Sequence, residues 1–269
     1  MIHTAALLFY IGAFALWVRF LWSGSRGRGP LLASVLALLG VVLHGTSLAL
    51  FYLEHDELPL VGPGAALSSL AFVGGLALLV LLPLREVARV AIVLLPFVIV
   101  LQAVALAIGV RPAAAAIDFQ GAGFILHVAF AFAGFQAFAL ACAAGTLYLI
   151  QFHELKTKRI GKIFRFTPPL ATLDTLGRVG VWSGLVCLSL SLSLGWAWTL
   201  TYRDSLEITD PKVVWSVLSW FTFLGVVVAR RLGDQPEYRG AVAAVLGFGV
   251  VVATFLVLRV TVGAEGLFL

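Results

Sequence analysis

The stretch LHVAFAFAGFQAFALACAAGTLYLI, residues 126–150, decides the fold of this chain, because its 25 residues include no Asp, Glu, Lys or Arg. About 20 apolar residues are enough for an α-helix to cross the hydrocarbon core of a bilayer, which is roughly 30 Å thick. The rest of the chain is similar, with 61% of its 269 residues hydrophobic and 12% charged. About a quarter of the residues of a soluble domain are charged. The composition therefore predicts an integral membrane protein.

Apolar runs separated by short polar breaks predict an all-α, polytopic fold with about eight transmembrane helices. We place them near residues 4–22, 31–53, 67–84, 90–109, 125–151, 179–201, 213–230 and 240–262. No break is long enough for a soluble domain, so residues 1–269 are predicted to form a single transmembrane domain. The run from His3 to Trp22 has no basic segment before it and no small-residue cleavage site, which predicts a retained helix rather than a signal peptide.

The basic residues predict the orientation of the spans. With eight alternating helices, fourteen of the 18 Lys and Arg residues fall on one side of the membrane, and only Arg111, Arg203, Lys212 and Arg259 fall on the other. Cytoplasmic loops carry the excess of Lys and Arg. We therefore expect the basic segment 156–178 in the cytoplasm and both termini outside. A net charge of +5 that arises in this way indicates membrane topology and not nucleic-acid binding.

Three histidines in or near the predicted outer half of the membrane are candidate iron ligands. His44 lies within the second span, His127 opens the fifth, and His55 follows the second span in an outer loop. An ionisable side chain within a span costs about 2.5–3.5 kcal/mol on insertion scales, so such residues are rare and informative. A neutral imidazole can bind heme iron through one nitrogen. The alternative, a histidine that hydrogen-bonds a carbonyl or water, stays open for all three.

The outer loop GWAWTLTYRDSLEITDPKVVWSVLSWF, residues 195–221, is the second candidate feature. It combines tryptophans with charged residues: Trp196, Trp198, Trp215 and Trp220 with Arg203, Asp210 and Lys212. Aromatic residues at a membrane boundary commonly form an interfacial belt. Alternatively, the indoles could stack on a porphyrin while Arg203 and Lys212 pair with its propionates.

Enzyme motifs are missing from the sequence. HExxH, GxSxG, GxxxxGK[ST] and a strand-linked GxGxxG are all absent. The two cysteines, Cys142 and Cys187, form no CxxC and are predicted to be small core residues. We therefore expect no enzyme activity. A small-molecule transporter is a further alternative, since glycines in several spans permit close helix packing.

Three segments together carry a resemblance to a known family: residues 126–150, the stretch PPLATLDTLGRVGVWSGLVCLSLSLSLGWAW at 168–198, and TDPKVVWSVLSW at 209–220. They resemble the cytochrome c assembly proteins of the CcsA, ResC and HemX type over about residues 124–262. The first is similar to the family's span that begins Leu-His-Val, and the second to its inner-loop entry into the next span. The third is similar to its Trp-Asp-Pro-Lys heme-presenting segment.

The resemblance implies a function in heme handling. His127 takes the place of an outer axial ligand, and His44 or His55 would supply the second ligand. The implied cargo is a non-covalently bound, b-type heme that the protein would deliver during cytochrome c assembly in the bacterial cytoplasmic membrane. The implied partners are a membrane assembly protein or, for the HemX-like branch, a cytoplasmic heme-synthesis enzyme. Thr209 replaces a family Trp and Val228 a family His, which places the chain nearer that branch.

Overall fold

The chain folds into α-helices joined by short connections. The computed structural model describes residues 1–23, 29–84, 87–112, 121–202, 211–232 and 234–261. Within these ranges there are nine α-helices and no β-strand. They are α1 (Ile2–Ser23), α2 (Gly29–His55), α3 (Pro63–Leu81), α4 (Ala91–Ile108), α5 (Ala122–Lys156), α6 (Lys162–Phe166), α7 (Leu170–Tyr202), α8 (Pro211–Ala229) and α9 (Pro236–Thr261), with a 3₁₀ turn at Val87–Val90.

Most of these helices have the length and composition of membrane spans. In the part of the chain that the structure describes, seven are long and apolar enough to cross a membrane. Helix α8 is shorter, with its apolar run over Val213–Ala229, and α6 has only 5 residues. The prediction of an all-α polytopic membrane protein with about eight spans is confirmed. Helix α5, with 35 residues, is about 52 Å long at 1.5 Å per residue, which is more than the hydrocarbon core requires.

Several helix boundaries differ from the predicted ones. Helix α5 continues to Lys156 instead of ending near 151, and α7 begins at Leu170 instead of near 179. Hydropathy marks where apolar residues stop, whereas a helix continues through polar residues whose charges are compensated. Asp174 in the early turns of α7 is such a residue, because its carboxylate accepts a 2.7 Å hydrogen bond from Arg230. The predicted third span, 67–84, includes Pro83, but α3 ends at Leu81, two residues before this proline.

Glycines with positive φ set two of the helix ends. Gly62, with φ 86°, directly precedes α3, and Gly109, with φ 97°, directly follows α4. Glycine adopts such angles at little steric cost, whereas side chains with a Cβ do not. A Cβ on Gly64 would also overlap the carbonyl oxygen of Gly109. The start of α3 and the end of α4 can therefore lie directly against each other.

The described residues divide into two compact units. The first contains α1 to α4, the last turns of α5 from Ile150, α6, and α7 up to Thr172. Tyr10 of α1 is fully buried in its core. A Cβ on Gly40 would lie 2.9 Å from the Tyr10 ring, and a Cβ on Gly75 would lie 2.7 Å from its hydroxyl oxygen. The glycines of α2 and α3 thus provide the space that this tyrosine occupies.

The second unit contains α5 up to Leu149, α7 from Leu173, α8 and α9. Helices α5 and α7 approach closely where glycines face backbone. A Cβ on Gly180 would lie 2.6 Å from the Ala137 carbonyl oxygen, and a Cβ on Gly134 would lie 3.2 Å from that of Gly184. Small residues allow membrane helices to pack with their backbones near one another. This close packing brings the last turns of α7 beside the first turns of α5.

Candidate functional site

His127 lies in the second turn of α5, and α7 holds its imidazole ring. The Nδ1 atom is 2.7 Å from the backbone oxygen of Ser191 and 3.1 Å from its Oγ. The Ser191 hydroxyl donates a 2.9 Å hydrogen bond to the backbone oxygen of His127. Ser191 is buried and His127 is half-buried. Reciprocal bonds between two helices therefore fix the position of this ring.

The hydrogen bond to Ser191 also determines which ring nitrogen of His127 carries the proton. A carbonyl oxygen only accepts hydrogen bonds, so Nδ1 must be the donor. A neutral imidazole has one ring proton, which leaves a lone pair on Nε2. No residue in the described part of the chain forms a hydrogen bond with Nε2. Histidine metal ligands are commonly oriented in this way, by donation from the opposite nitrogen to a carbonyl or carboxylate. The residues present therefore fit an axial ligand to iron.

Glycine and aromatic residues complete the surroundings of His127. A Cβ on Gly195 would lie 2.7 Å from both Cε1 and Nδ1 of the ring, so the ring occupies space that only glycine leaves free. The ring of Phe124 has its centroid 6.5 Å from that of His127 and 5.6 Å from that of Trp198. The structure thus brings His127 and Trp198, two of the predicted site residues, to the same end of the second unit.

The other tryptophans differ in their surroundings. Trp196 is 54% exposed. Trp215 donates from its indole nitrogen to the Val251 oxygen at 3.2 Å and stacks on Phe135, with centroids 5.0 Å apart. The indole nitrogen of Trp220 donates to Ser189 Oγ at 2.8 Å. Trp215 and Trp220 are therefore packed within the helices of the second unit, while Trp196 has a free face.

The charged residues of the predicted loop are only partly covered by the structure. Arg203 and Asp210 lie outside the described residues. Pro211 and Lys212 are the first two residues of α8. The expected pairing of Arg203 and Lys212 with propionates stays a prediction.

His44 has surroundings quite unlike those of His127. It is fully buried in the first unit, where it belongs to a chain of polar side chains from four helices. Ser68 Oγ donates to Gln102 Oε1 at 3.0 Å, so it accepts from His44 Nε2, also at 3.0 Å. The remaining nitrogen, Nδ1, then accepts from the Tyr10 hydroxyl at 3.3 Å. Both ring nitrogens of His44 are engaged, and iron binding would require the loss of one of these bonds.

His55 is exposed at the end of α2. Its Nδ1 lies 3.0 Å from the Phe51 backbone oxygen, which again leaves the lone pair on Nε2. His44 and His55 belong to the first unit, and His127 belongs to the second. Among the described residues, none bonds Nε2 of His55, whereas both ring nitrogens of His44 have partners.

Sequence reasoning missed Ser191 and Gly195, the two residues that fix and accommodate the His127 ring. The segment LSLSLSLG, residues 188–195, offers three serines at alternate positions, and nothing in the sequence distinguishes the one that faces α5. Gly195 would be noticed only once the packing of α5 against α7 was known.

Comparisons with known proteins agree with the resemblance seen in the sequence. A family model described as "Cytochrome C assembly protein" matches residues 1–264. Protein HemX of Bacillus subtilis is 31% identical over 136 residues, which are 51% of this chain and 47% of that protein. The cytochrome c biogenesis protein CcsA of Synechococcus elongatus is 29% identical over 85 residues, which are 32% of this chain and 26% of that protein. The chain thus aligns with about half the length of the first relative and a quarter of the second.

The family match extends well beyond residues 124–262, the range of the resemblance given above, and it includes the helices of both units. The membrane-spanning helices, the match to almost the whole length of the chain and the relatives agree with one another. This chain belongs to the cytochrome C assembly protein family.

Proposed function

We propose that this protein binds heme through His127 and delivers it during cytochrome c assembly at the outer face of a bacterial cytoplasmic membrane. The observation that carries the proposal is that Nδ1 of His127 donates a 2.7 Å hydrogen bond to the Ser191 oxygen, while no described residue bonds its Nε2. Heme supplies an iron atom whose axial positions accept neutral imidazole. The protein would serve as an assembly factor, with heme as its cargo.

The aromatic residues beside His127 suit a flat, apolar ligand. Phe124 and Trp198 are adjacent rings next to the imidazole, and Trp196 exposes more than half of its surface two residues earlier on α7. Aromatic rings stack on flat π-systems and bury a large apolar area. The protein would hold heme without a covalent bond, because Cys142 and Cys187 are far apart in sequence and belong to no CxxCH motif.

The visible spectrum of the purified protein tests this proposal. After heme is supplied in detergent solution, we expect a Soret band for the wild type that is strongly reduced in His127→Ala. His153→Ala is the matched control, because His153 lies on the same helix and is exposed at its other end. A wild type with no Soret band, or a His127→Ala protein that retains as much heme as His153→Ala, would overturn the proposal.

A second candidate function is regulation of a cytoplasmic heme-synthesis enzyme. It is favoured by three exposed basic residues, Lys156, Lys158 and Arg159, at the end of α5. Lys158 has φ 57°, and the Arg159 N–H donates to the Glu154 oxygen at 3.0 Å. This is the pattern of a Schellman cap, so the three charges stand on an ordered turn and could form part of a docking surface.

Co-purification of the enzyme tests the second candidate. Changing Lys156, Lys158 and Arg159 to Gln should abolish co-purification of the enzyme with the membrane protein. Changing Arg231, in the connection between α8 and α9, and Arg239, in the first turn of α9, to Gln should leave it intact. Unchanged co-purification with the first set of substitutions would exclude this surface.

A further inference from the structure

A cleft of about 440 Å³ lies in the first unit, where the end of α5, the segment after α6 and the turn before α4 meet. Its volume falls within the range of roughly 300–1,000 Å³ that is typical of small-molecule sites. Its lining combines one cation, two uncharged polar side chains and several apolar ones: Arg89, Gln151, Thr167, Leu155, Phe164 and Leu170. Heme handling at His127 makes no use of this cleft, since His127 belongs to the other unit.

Hydrogen bonds to backbone oxygens hold the polar side chains that line the cleft. The Gln151 amide nitrogen donates to the Pro168 oxygen at 2.9 Å and contacts the Thr167 hydroxyl, and Gln151 is only 2% exposed. Arg89 donates from Nη1 to the Phe166 oxygen at 2.9 Å, and its guanidinium carbon lies 5.8 Å from the centre of the Phe166 ring. The position of the guanidinium is therefore fixed before any ligand binds.

Most of the described charged side chains in and around the cleft are basic. Within the described residues, the hydrogen bond of Arg89 runs from Nη1 to the Phe166 oxygen, and a ligand would be bound by the remaining N–H groups. Exposed Lys162 and Arg165 lie on the neighbouring α6. The nearby Glu154 has one carboxylate oxygen occupied by the N–H of Gly161 at 3.0 Å. Among the described residues that line the cleft, none is acidic.

The apolar residues that line the cleft and its location near helix ends indicate that its ligand is an amphiphile. Leu155, Phe164 and Leu170 form the apolar part of the lining, called the apolar wall below, and Leu155 is 42% exposed. Close by, the Lys162 ammonium lies 4.6 Å from the centre of the Trp22 ring at the end of α1. Tryptophan and lysine at a helix end are typical of the membrane–water interface. The basic loop predicts that this interface is the cytoplasmic one.

We propose that this cleft binds the headgroup of an anionic phospholipid from the cytoplasmic leaflet. The Arg89 guanidinium would donate charge-assisted hydrogen bonds to the phosphate oxygens, and Leu155 and Leu170 would contact the start of the acyl chains. Basic pockets on the cytoplasmic side of membrane helices bind anionic lipid headgroups in this way. A soluble phosphate ion would use the guanidinium but not the apolar wall.

Native mass spectrometry of the full chain in detergent tests the proposal, with phosphatidylglycerol, phosphatidylcholine and inorganic phosphate as separate probes. We expect the wild type to retain phosphatidylglycerol in preference to phosphatidylcholine. Removal of charge-assisted hydrogen bonds in Arg89→Gln should reduce that retention about tenfold. Arg239→Gln is the matched control, because Arg239 also donates from Nη1 to a backbone oxygen, that of Leu232 at 2.9 Å, but lies outside the cleft.

A second pair of variants tests the cleft without removing the bond between Arg89 and Phe166. Leu155→Glu places a negative charge at the apolar wall and should also abolish phosphatidylglycerol retention. Ile160→Glu adds the same charge at a residue that is 53% exposed and does not line the cleft, and should have no such effect. Equal losses in the test variants and their controls would overturn the proposal, as would equal retention of the two lipids. Phosphate binding as tight as that of phosphatidylglycerol would identify a free-anion site and reject the lipid.

Discussion

The substitution Gly195→Ala tests whether heme binding depends on the position of the His127 ring, because it moves the ring and keeps the histidine. The new Cβ would lie 2.7 Å from Cε1 and Nδ1, whereas non-bonded carbon atoms prefer about 3.5–4.0 Å. The ring must therefore move by about 1 Å. A movement of that size breaks or bends the 2.7 Å hydrogen bond from Nδ1 to the Ser191 oxygen, since side-chain hydrogen bonds are lost by about 3.6 Å.

The expected consequence is weaker heme binding with the histidine still in place. Loss of the outer partner of a metal-binding histidine commonly lowers metal affinity by about 10–100-fold. We expect a similar rise in the Kd for heme, measured by Soret absorbance during titration of the purified protein. Ser191→Ala keeps the backbone carbonyl that accepts from Nδ1, and should raise the Kd by no more than about fivefold, the equivalent of a typical neutral hydrogen bond of about 1 kcal/mol.

Gly249→Ala is the control for Gly195→Ala. A Cβ at Gly249 of α9 has nothing within 4 Å. Both substitutions remove the unfavourable helix propensity of a glycine, about 1 kcal/mol, so that effect is the same in the two variants. The difference between them then reports on the His127 ring. If the two proteins bind heme with the same Kd, the His127 ring does not bind the iron from the position beside Gly195.

Three further outcomes are expected. His44→Ala should leave the Soret band unchanged but lower the free energy of unfolding in detergent by about 1–3 kcal/mol, because Tyr10 and Ser68 lose buried partners; reduced heme binding would instead make His44 part of the site. Asp174→Asn leaves the Arg230 cation, whose side chain is only 14% exposed, without its anionic partner and should destabilise the protein by up to about 3 kcal/mol, seen as an early thermal transition. The double variant with Arg230→Met should recover part of that loss, and its failure to do so would show that the two residues act separately. Trp220→Phe removes the bond to Ser189 and should slow heme transfer to an acceptor while membrane insertion stays normal; an insertion defect would indicate that Trp220 serves as an anchor.

Hydropathy was enough to predict the helices, since each span must satisfy its backbone hydrogen bonds internally when no water is available. It could not predict the first two and a half turns of α7, because their stability depends on Asp174 meeting Arg230, 56 residues away. A pair of this kind is visible only in the packed structure. The same limit applies to α5, whose last turns are polar and yet helical.

The candidate site was predictable in its chemistry but not in its geometry. Histidine is rare within spans, so His44 and His127 were both apparent from the sequence, but their roles were not. The difference depends on the atom that each Nδ1 faces: a hydroxyl that donates to His44, and a carbonyl that accepts from His127. Side-chain direction across two helices fixes those partners, and hydropathy contains no information about it.

The partner of His127 Nδ1 has a consequence for how firmly iron would be held. Many metal-binding histidines donate to a carboxylate, which increases the basicity of the ring and strengthens the bond to the metal. The Ser191 oxygen is uncharged, so the imidazole keeps its proton and stays a moderate electron donor. Such a ligand favours ferric iron less strongly and exchanges more readily with a competing base. A bond of this intermediate strength would suit the delivery of heme proposed above.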